Sequence, residues 1–152
     1  MDESILIPAR GGSKRIPEKN IINLCNKPLI CYVIEESLKA TKNVFVSTDS
    51  EKIKSVCSRY EVNIVDRPSE LATDTTSTNL VIEHFLKTTP DIKYFACVQP
   101  TSPLLNVEYL RRAFKKIKNM NYNSIISVYE EKQFHWNKNG IPINFSINNK
   151  PR

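Results

Sequence analysis

Residues 5–20 read ILIPARGGSKRIPEKN, and the fold class follows from how this stretch is built. Ile5, Leu6 and Ile7 form a short apolar run of the kind a buried strand requires, and Pro8 closes it. The loop that follows holds two of the chain's three glycines, Gly11 and Gly12, and sets Arg10, Lys14, Arg15 and Lys19 against a single acid, Glu18. A strand that empties into such a loop lets backbone N–H groups approach a polyanion while side chains neutralise its charge. Anion binding is the first expectation, with a solvated basic surface loop as the plain alternative. The loop matches neither of the two best-known phosphate cradles. It lacks a Gly-Lys-Ser/Thr ending that opens into a helix, and it lacks glycines at the first, third and sixth positions of a dinucleotide fingerprint.

Working outward, Lys27-Pro28 precedes a helical stripe of Leu29, Ile30, Val33, Ile34 and Leu38 that ends near Thr41, with Pro28 in its first turn. Val44, Phe45 and Val46 read as a second strand, and Ser50 as the N-cap of a helix carrying Ile53, Val56 and Cys57. Val62, Ile64 and Val65 give a third strand, followed by a helix with Leu80, Val81, Phe85 and Leu86 inward. Tyr94 to Val98 is a fourth strand with Cys97 in the core, and Asn106 caps a helix whose stripe is Val107, Leu110, Phe114 and Ile117. Ser124 to Val128 reads as a fifth strand, and the region around Trp136, Gly140 and Ile141-Pro142-Ile143 as irregular chain or a hairpin.

Alternating strands and helices predict an α/β fold, a Rossmann-like three-layer sandwich with a mainly parallel sheet flanked by helices. The 152 residues read as one domain. In such folds ligands sit beyond the carboxyl ends of the strands, where the strand order reverses. The first loop, Ser47 to Asp49, Asp66 to Pro68 and Gln99 to Pro103 all fall at that edge.

Composition is that of a globular protein, 40% apolar and 25% charged. No run approaches the roughly 18 apolar residues that span a bilayer, and Met1-Asp2-Glu3 running straight into a strand is unlike a secretory leader. Cys25, Cys31, Cys57 and Cys97 form no CxxC pair, and neither His84 nor His135 completes a zinc spacing. A soluble, cytoplasmic protein with reduced thiols, no zinc site and no membrane association is expected. The net charge of +6 admits nucleic acid, an anionic small molecule or simple solubility. Arg111, Arg112, Lys115, Lys116 and Lys118 lie on the polar face of a helix with no interleaved aromatics, which argues against nucleic acid.

Four blocks in order, IPARGGSKRIPEKN at 7–20, VSTDS at 46–50, DRPSELATDTTST at 66–78 and QPTSPL at 99–104, resemble the CMP-sugar synthetases. The likeness is to the branch acting on acylneuraminic, pseudaminic or legionaminic acids, and it covers nearly the whole chain. It implies a nucleotide-diphospho-sugar transferase-like fold, and a cytidylyltransferase that condenses CTP with a 2-keto sugar acid and releases pyrophosphate. By resemblance Arg10 and Lys19 are the catalytic cations that hold the triphosphate, together with Gly11, Gly12, Ser13 and Lys14 of the loop. Asn20 assists at the nucleotide, Arg67 with the Thr76 to Thr78 segment reads the cytosine edge, and Gln99 faces the sugar and ribose. The resemblance also implies Mg²⁺ and a homodimer.

Two positions depart from family patterns. Thr101 stands where the 3-deoxy-manno-octulosonate branch carries a metal-binding Asp, and Leu105 where the acylneuraminate branch commonly has Arg. The end at Lys150-Pro151-Arg152 suggests a chain that lacks the family's C-terminal portion, with its metal-binding aspartates and sugar-carboxylate arginines. A CTP-binding module without turnover, and a sugar-1-phosphate nucleotidyltransferase using another base, are the competing readings. The roles of Asp49 and Asp74 stay open between loop organiser and site residue.

Overall fold

The computed structural model describes residues 1–120, 122–130, 133–144 and 146. The chain runs β1 (Glu3–Pro8), a 3-10 turn (Lys19–Ile21), β2 (Asn23–Leu24), β3 (Lys27–Pro28), α1 (Leu29–Ala40), β4 (Val44–Thr48) and α2 (Glu51–Cys57). It continues through β5 (Asn63–Asp66), a second 3-10 turn (Ser69–Leu71), α3 (Thr78–Thr88), β6 (Tyr94–Cys97) and α4 (Val107–Asn119).

Four strands form one sheet in the order β5-β4-β1-β6, and every pair is parallel. β1 lies inside, in register with β4 through Leu6 and Phe45 and with β6 through Leu6 and Cys97. A strand covered on both faces must be apolar without alternation, which explains the Ile5-Leu6-Ile7 run. Its side chains divide by parity. Ile5 and Ile7 join Val44 and Val46 under Ile30, Val33 and Ile34 of α1, Ile53 of α2, and Leu110 and Phe114 of α4. Leu6 joins Phe45 and Val65 on the opposite face, where Phe85 of α3 packs 5.2 Å from the Phe45 ring. This is the expected three-layer architecture.

Local chemistry sets the helix ends. The Ser50 hydroxyl accepts from the Ile53 amide at α2, and the Asn106 side chain accepts from the Glu108 amide at 2.8 Å at α4. The first turn of α4 gains a second acceptor from far away in sequence: Glu36 Oε2 takes the Val107 amide at 2.8 Å. β2 and β3 form a small hairpin that the sequence reading did not include. Its two-residue turn places Cys25 and Asn26 at φ 48 and 65, the positive pair that a type I′ turn requires.

Several expectations are corrected. Pro28 is the N-cap of α1 rather than a residue of its first turn. In α3 only Val81 and Phe85 are buried, whereas Leu80 and Leu86 are 47% and 41% exposed, because one narrow stripe reaches the sheet. Cys97 is half-buried, since it lies on the edge strand. Ser124 to Val128 is not a strand: Ile126 and Val128 are each 83% exposed. β6 pairs with β1 alone among the described residues, and a cavity of about 780 Å³ is lined both by β6 and by residues 122–127. An apolar pattern becomes a strand only when its backbone meets a partner edge, and this one meets none among the described residues. Trp136 and Pro142 form an isolated antiparallel bridge, in keeping with the expected irregular region. Residues 147–152, on which the reading of a shortened chain turned, lie outside the described residues.

Candidate functional site

The strand order reverses between β1 and β6, since the chain builds outward through β4 and β5 and then crosses to the far side of β1. Loops leaving β1, β5 and β6 converge on the crevice this opens. They line a cavity of about 200 Å³ with Arg10, Ser13, Lys19 and Asn20 from the first, Arg67, Asp74, Thr76 and Thr78 from the second, and Gln99 and Thr101 from the third.

The first loop is pinned rather than free. Ala9 extends the β1 pairing through its amide to the Ser47 carbonyl at 2.9 Å, and the Gly11 amide donates to Asp49 Oδ1 at 2.9 Å. Asn20, buried in the loop's return, donates from Nδ2 to the Arg10 carbonyl at 2.9 Å. Glu18 turns through the left-handed region at φ 52 and pairs with Lys52 of α2. Lys19 is thereby presented half-buried in the lining, and it has no ion pair among the described residues.

Arg10 reaches across the crevice. Its Nη1 donates to the Ala72 carbonyl at 3.3 Å and its Nη2 to Asp74 Oδ1 at 2.6 Å. Lys14 pairs with the other oxygen of the same carboxylate, Oδ2. The Lys14 ammonium first, and Arg10 with it, hold the Asp74 carboxyl below the usual carboxylate range.

Arg67 is 7% exposed, and its Nε and Nη2 donate to the Ser47 hydroxyl at 3.1 Å and the Ser47 carbonyl at 2.7 Å. Burial pulls its pKa down and nearby Arg10 adds to this, while Asp49 opposes. A guanidinium stays charged through such a shift. Two of its N–H groups are held by Ser47, and the rest of the fork is uncommitted among the described residues.

Thr76 is held by the Thr73 hydroxyl at 2.7 Å, and Thr78 opens α3 just after its Ser77 cap. Leu71 and Val81 add an apolar wall.

The crevice therefore brings together Arg10, Ser13, Lys19, Asn20, Arg67, Thr76, Thr78 and Gln99 from the sequence reading. Gly11, Gly12 and Lys14 are not in its lining. Gly11 is required by close approach, for a Cβ there would stand 2.8 Å from Ser50 Cβ, whereas a Cβ on Gly12 would meet open space. Lys14 faces the site through Asp74. Asp49 organises the loop through Gly11, and Asp74 joins two walls of the crevice. No spacing in the sequence announces either contact, because the partners lie 38 and 64 residues away.

At nucleotide sites Mg²⁺ is commonly held by one or two carboxylates together with substrate phosphates rather than by an all-protein cage. Among the described residues there is no group of three or more His, Cys, Asp or Glu that could hold a metal ion, and the crevice carboxylate Asp74 is taken by two cations. No helix among the described residues is long and apolar enough to cross a membrane.

Residues 4–147 match the family model described as cytidylyltransferase. N-acylneuraminate cytidylyltransferase B of Danio rerio is 35% identical over 149 residues, which cover 94% of this chain and 35% of the relative. An N-acylneuraminate cytidylyltransferase of Escherichia coli is 38% identical over 126 residues, 81% of this chain and 30% of the relative. The chain thus spans about a third of the length of these curated relatives. A solved CMP:2-keto-3-deoxy-manno-octonic acid synthetase complexed with CTP superposes with a TM-score of 0.68 at 20% identity, over 78% of this chain and 48% of that one. The likeness to that structure speaks for the fold, and the match over residues 4–147 speaks for descent: the chain belongs to the cytidylyltransferase family.

Proposed function

We propose that this chain binds CTP in the crevice between β1 and β6 and serves the transfer of its cytidylyl group to a nonulosonic acid, a 2-keto sugar acid of the sialic type, with release of pyrophosphate. The observation that carries the reading is the convergence of Arg10, Lys19 and Arg67 on one pocket at the strand-order reversal. Arg10 and Lys19 come from the loop after β1, line the crevice and suit the triphosphate. Arg67, fixed by Ser47, and the threonines at 76 and 78 suit the edge of the pyrimidine, against the apolar wall of Leu71 and Val81. Gln99, which lines the same crevice from the loop after β6, is assigned to the ribose and sugar.

In this chemistry the anomeric hydroxyl of the sugar acid attacks the α-phosphorus in line and releases its proton to solvent, the new O–P bond forms as the bond from the α-phosphorus to the oxygen of the β-phosphate breaks, and pyrophosphate carries away the charge. The chain's part is positioning and neutralisation of developing charge. Mg²⁺, implied by the family resemblance, would neutralise charge on the triphosphate and be held largely by its phosphates, since no group of three or more His, Cys, Asp or Glu that could hold a metal ion lies among the described residues. The cysteines are free, which supports a reducing, cytoplasmic setting. A homodimer belongs to the same proposal on the resemblance alone.

The test is release of pyrophosphate from CTP in the presence of an N-acylneuraminic acid, with formation of the CMP-sugar followed by chromatography. Turnover supports the proposal. CTP binding without turnover would instead favour a nucleotide-binding module, and preference for another nucleoside triphosphate would favour a sugar-1-phosphate nucleotidyltransferase.

A further inference from the structure

Asp74 holds the two cations of the first loop that an incoming anion needs. Each carboxylate oxygen has its own partner, Arg10 Nη2 on Oδ1 at 2.6 Å and Lys14 Nζ on Oδ2. Arg10 Nη1 adds the Ala72 carbonyl at 3.3 Å, so residues 72–74 are strapped to residues 10–14 across the crevice. The cavity beneath, about 200 Å³, is smaller than the roughly 300 Å³ at which ligand pockets begin. Lys19, in the same lining, carries no ion pair among the described residues.

We propose that Asp74 is an internal counter-anion: it occupies Arg10 and Lys14 in the empty site, is displaced by the polyphosphate that binds there, and returns to help expel pyrophosphate. The proposal rests on the nucleotide reading of this crevice and adds to it a residue that sets polyphosphate affinity.

The energetics suit reversible displacement. The side chains of Arg10 and Asp74 are 31% and 33% exposed and Lys14 is 83% exposed, so water screens both pairs and the strap is weak. One carboxylate brings a single negative charge, and a phosphate group brings about −1.5 to −2, so a polyphosphate outcompetes it for the same donors. Lys19 gives the anion a first foothold before the strap opens. Release of residues 72–74 also frees the segment leading into Thr76 and Thr78, which links the phosphate end of the site to the end proposed for the base.

An internal competitor penalises every ligand that must displace it by the same factor and leaves other ligands untouched. Titration calorimetry of the full chain and of Asp74→Asn with pyrophosphate, CTP and cytidine reads this directly. The expected result is tighter binding of pyrophosphate and CTP by Asp74→Asn, by about three- to ten-fold and by similar factors, with cytidine unchanged. Asp74→Ala should move in the same direction, which guards against an effect peculiar to the amide. Weaker or unchanged binding of pyrophosphate and CTP by both variants, with the unsubstituted chain still binding CTP, overturns the proposal and leaves the nucleotide reading standing. Failure of the unsubstituted chain and both variants to bind either ligand while folded overturns the nucleotide reading and this proposal with it.

Discussion

Asp49 Oδ1 accepts the Gly11 amide at 2.9 Å and so ties the loop after β1 to the end of β4 across 38 residues. Any ligand held by the loop amides inherits this constraint. Asp49→Ala removes the acceptor and should weaken CTP binding about five- to ten-fold, a loss comparable to one ordinary hydrogen bond. Asp49→Asn keeps an oxygen in place and should stay within about threefold. Loss of turnover in the Asn variant with CTP affinity intact would show that Asp49 handles a proton, and so contradict the positioning role.

The two loop glycines should respond differently to the same substitution. Gly11→Ala places a Cβ 2.8 Å from Ser50 Cβ, so the loop or the α2 cap must shift. We expect at least a roughly tenfold loss of CTP affinity, since shifting the loop misplaces both Arg10 and the loop amides. A Cβ at Gly12 meets nothing within 4 Å, and Gly12→Ala should change affinity by less than about twofold. Calorimetric titration of the pair decides it.

Arg67 is buried and fork-bonded to Ser47, a geometry that an ammonium cannot copy. Arg67→Lys should lower the unfolding free energy by about 1–3 kcal/mol in urea titrations, through lost hydrogen bonds and an unpaired buried charge. If the remaining donors of the fork read the pyrimidine, the same variant should also lose preference for CTP over UTP. Retained stability together with retained preference would remove Arg67 from both roles.

Acid should loosen the attachment of α4. Lys39 first, and then the Val107 amide, hold the Glu36 carboxyl below its usual range, and Lys27 followed by Tyr60 does the same for Glu35. A carboxyl whose folded pKa is depressed contributes stability above its unfolded value, about 4.3, and loses it as pH falls through the folded value. Glu36→Gln should therefore destabilise the protein by about 1 kcal/mol at pH 7 and by much less near pH 3. Urea unfolding at the two pH values measures the difference, and an equal effect at both would count against the ionised cap.

Much of this was legible from local chemistry. The Ile5-Leu6-Ile7 run, the caps Ser50 and Asn106, and the stripes of α1 and α4 each follow from residues within one or two turns of one another. Arg10, Lys19, Arg67 and Gln99 could be placed at one sheet edge because parallel βαβ topology sends every such loop to the same side. What escaped depended on distant partners. Nothing near Glu36 announces that it caps a helix 71 residues on, and nothing near Asp74 announces Arg10. Ser124 to Val128 has a strand's composition, but strand formation is decided by an available edge, which composition does not encode. The β2–β3 hairpin was hidden because Cys25 at φ 48 is a rare residue for a positive φ.

Binding of CTP in the crevice between β1 and β6, through the cations of the first loop, is what the proposed function requires first. Its most direct test is the thermal shift of the chain and of Lys19→Ala with CTP, UTP, ATP and GTP, because a ligand bound only by the folded state raises the melting temperature by mass action. The expected result is a shift selective for CTP that Lys19→Ala abolishes while keeping the unliganded melting temperature. Equal shifts with all four nucleotides, or a CTP shift that survives Lys19→Ala unchanged, would contradict it.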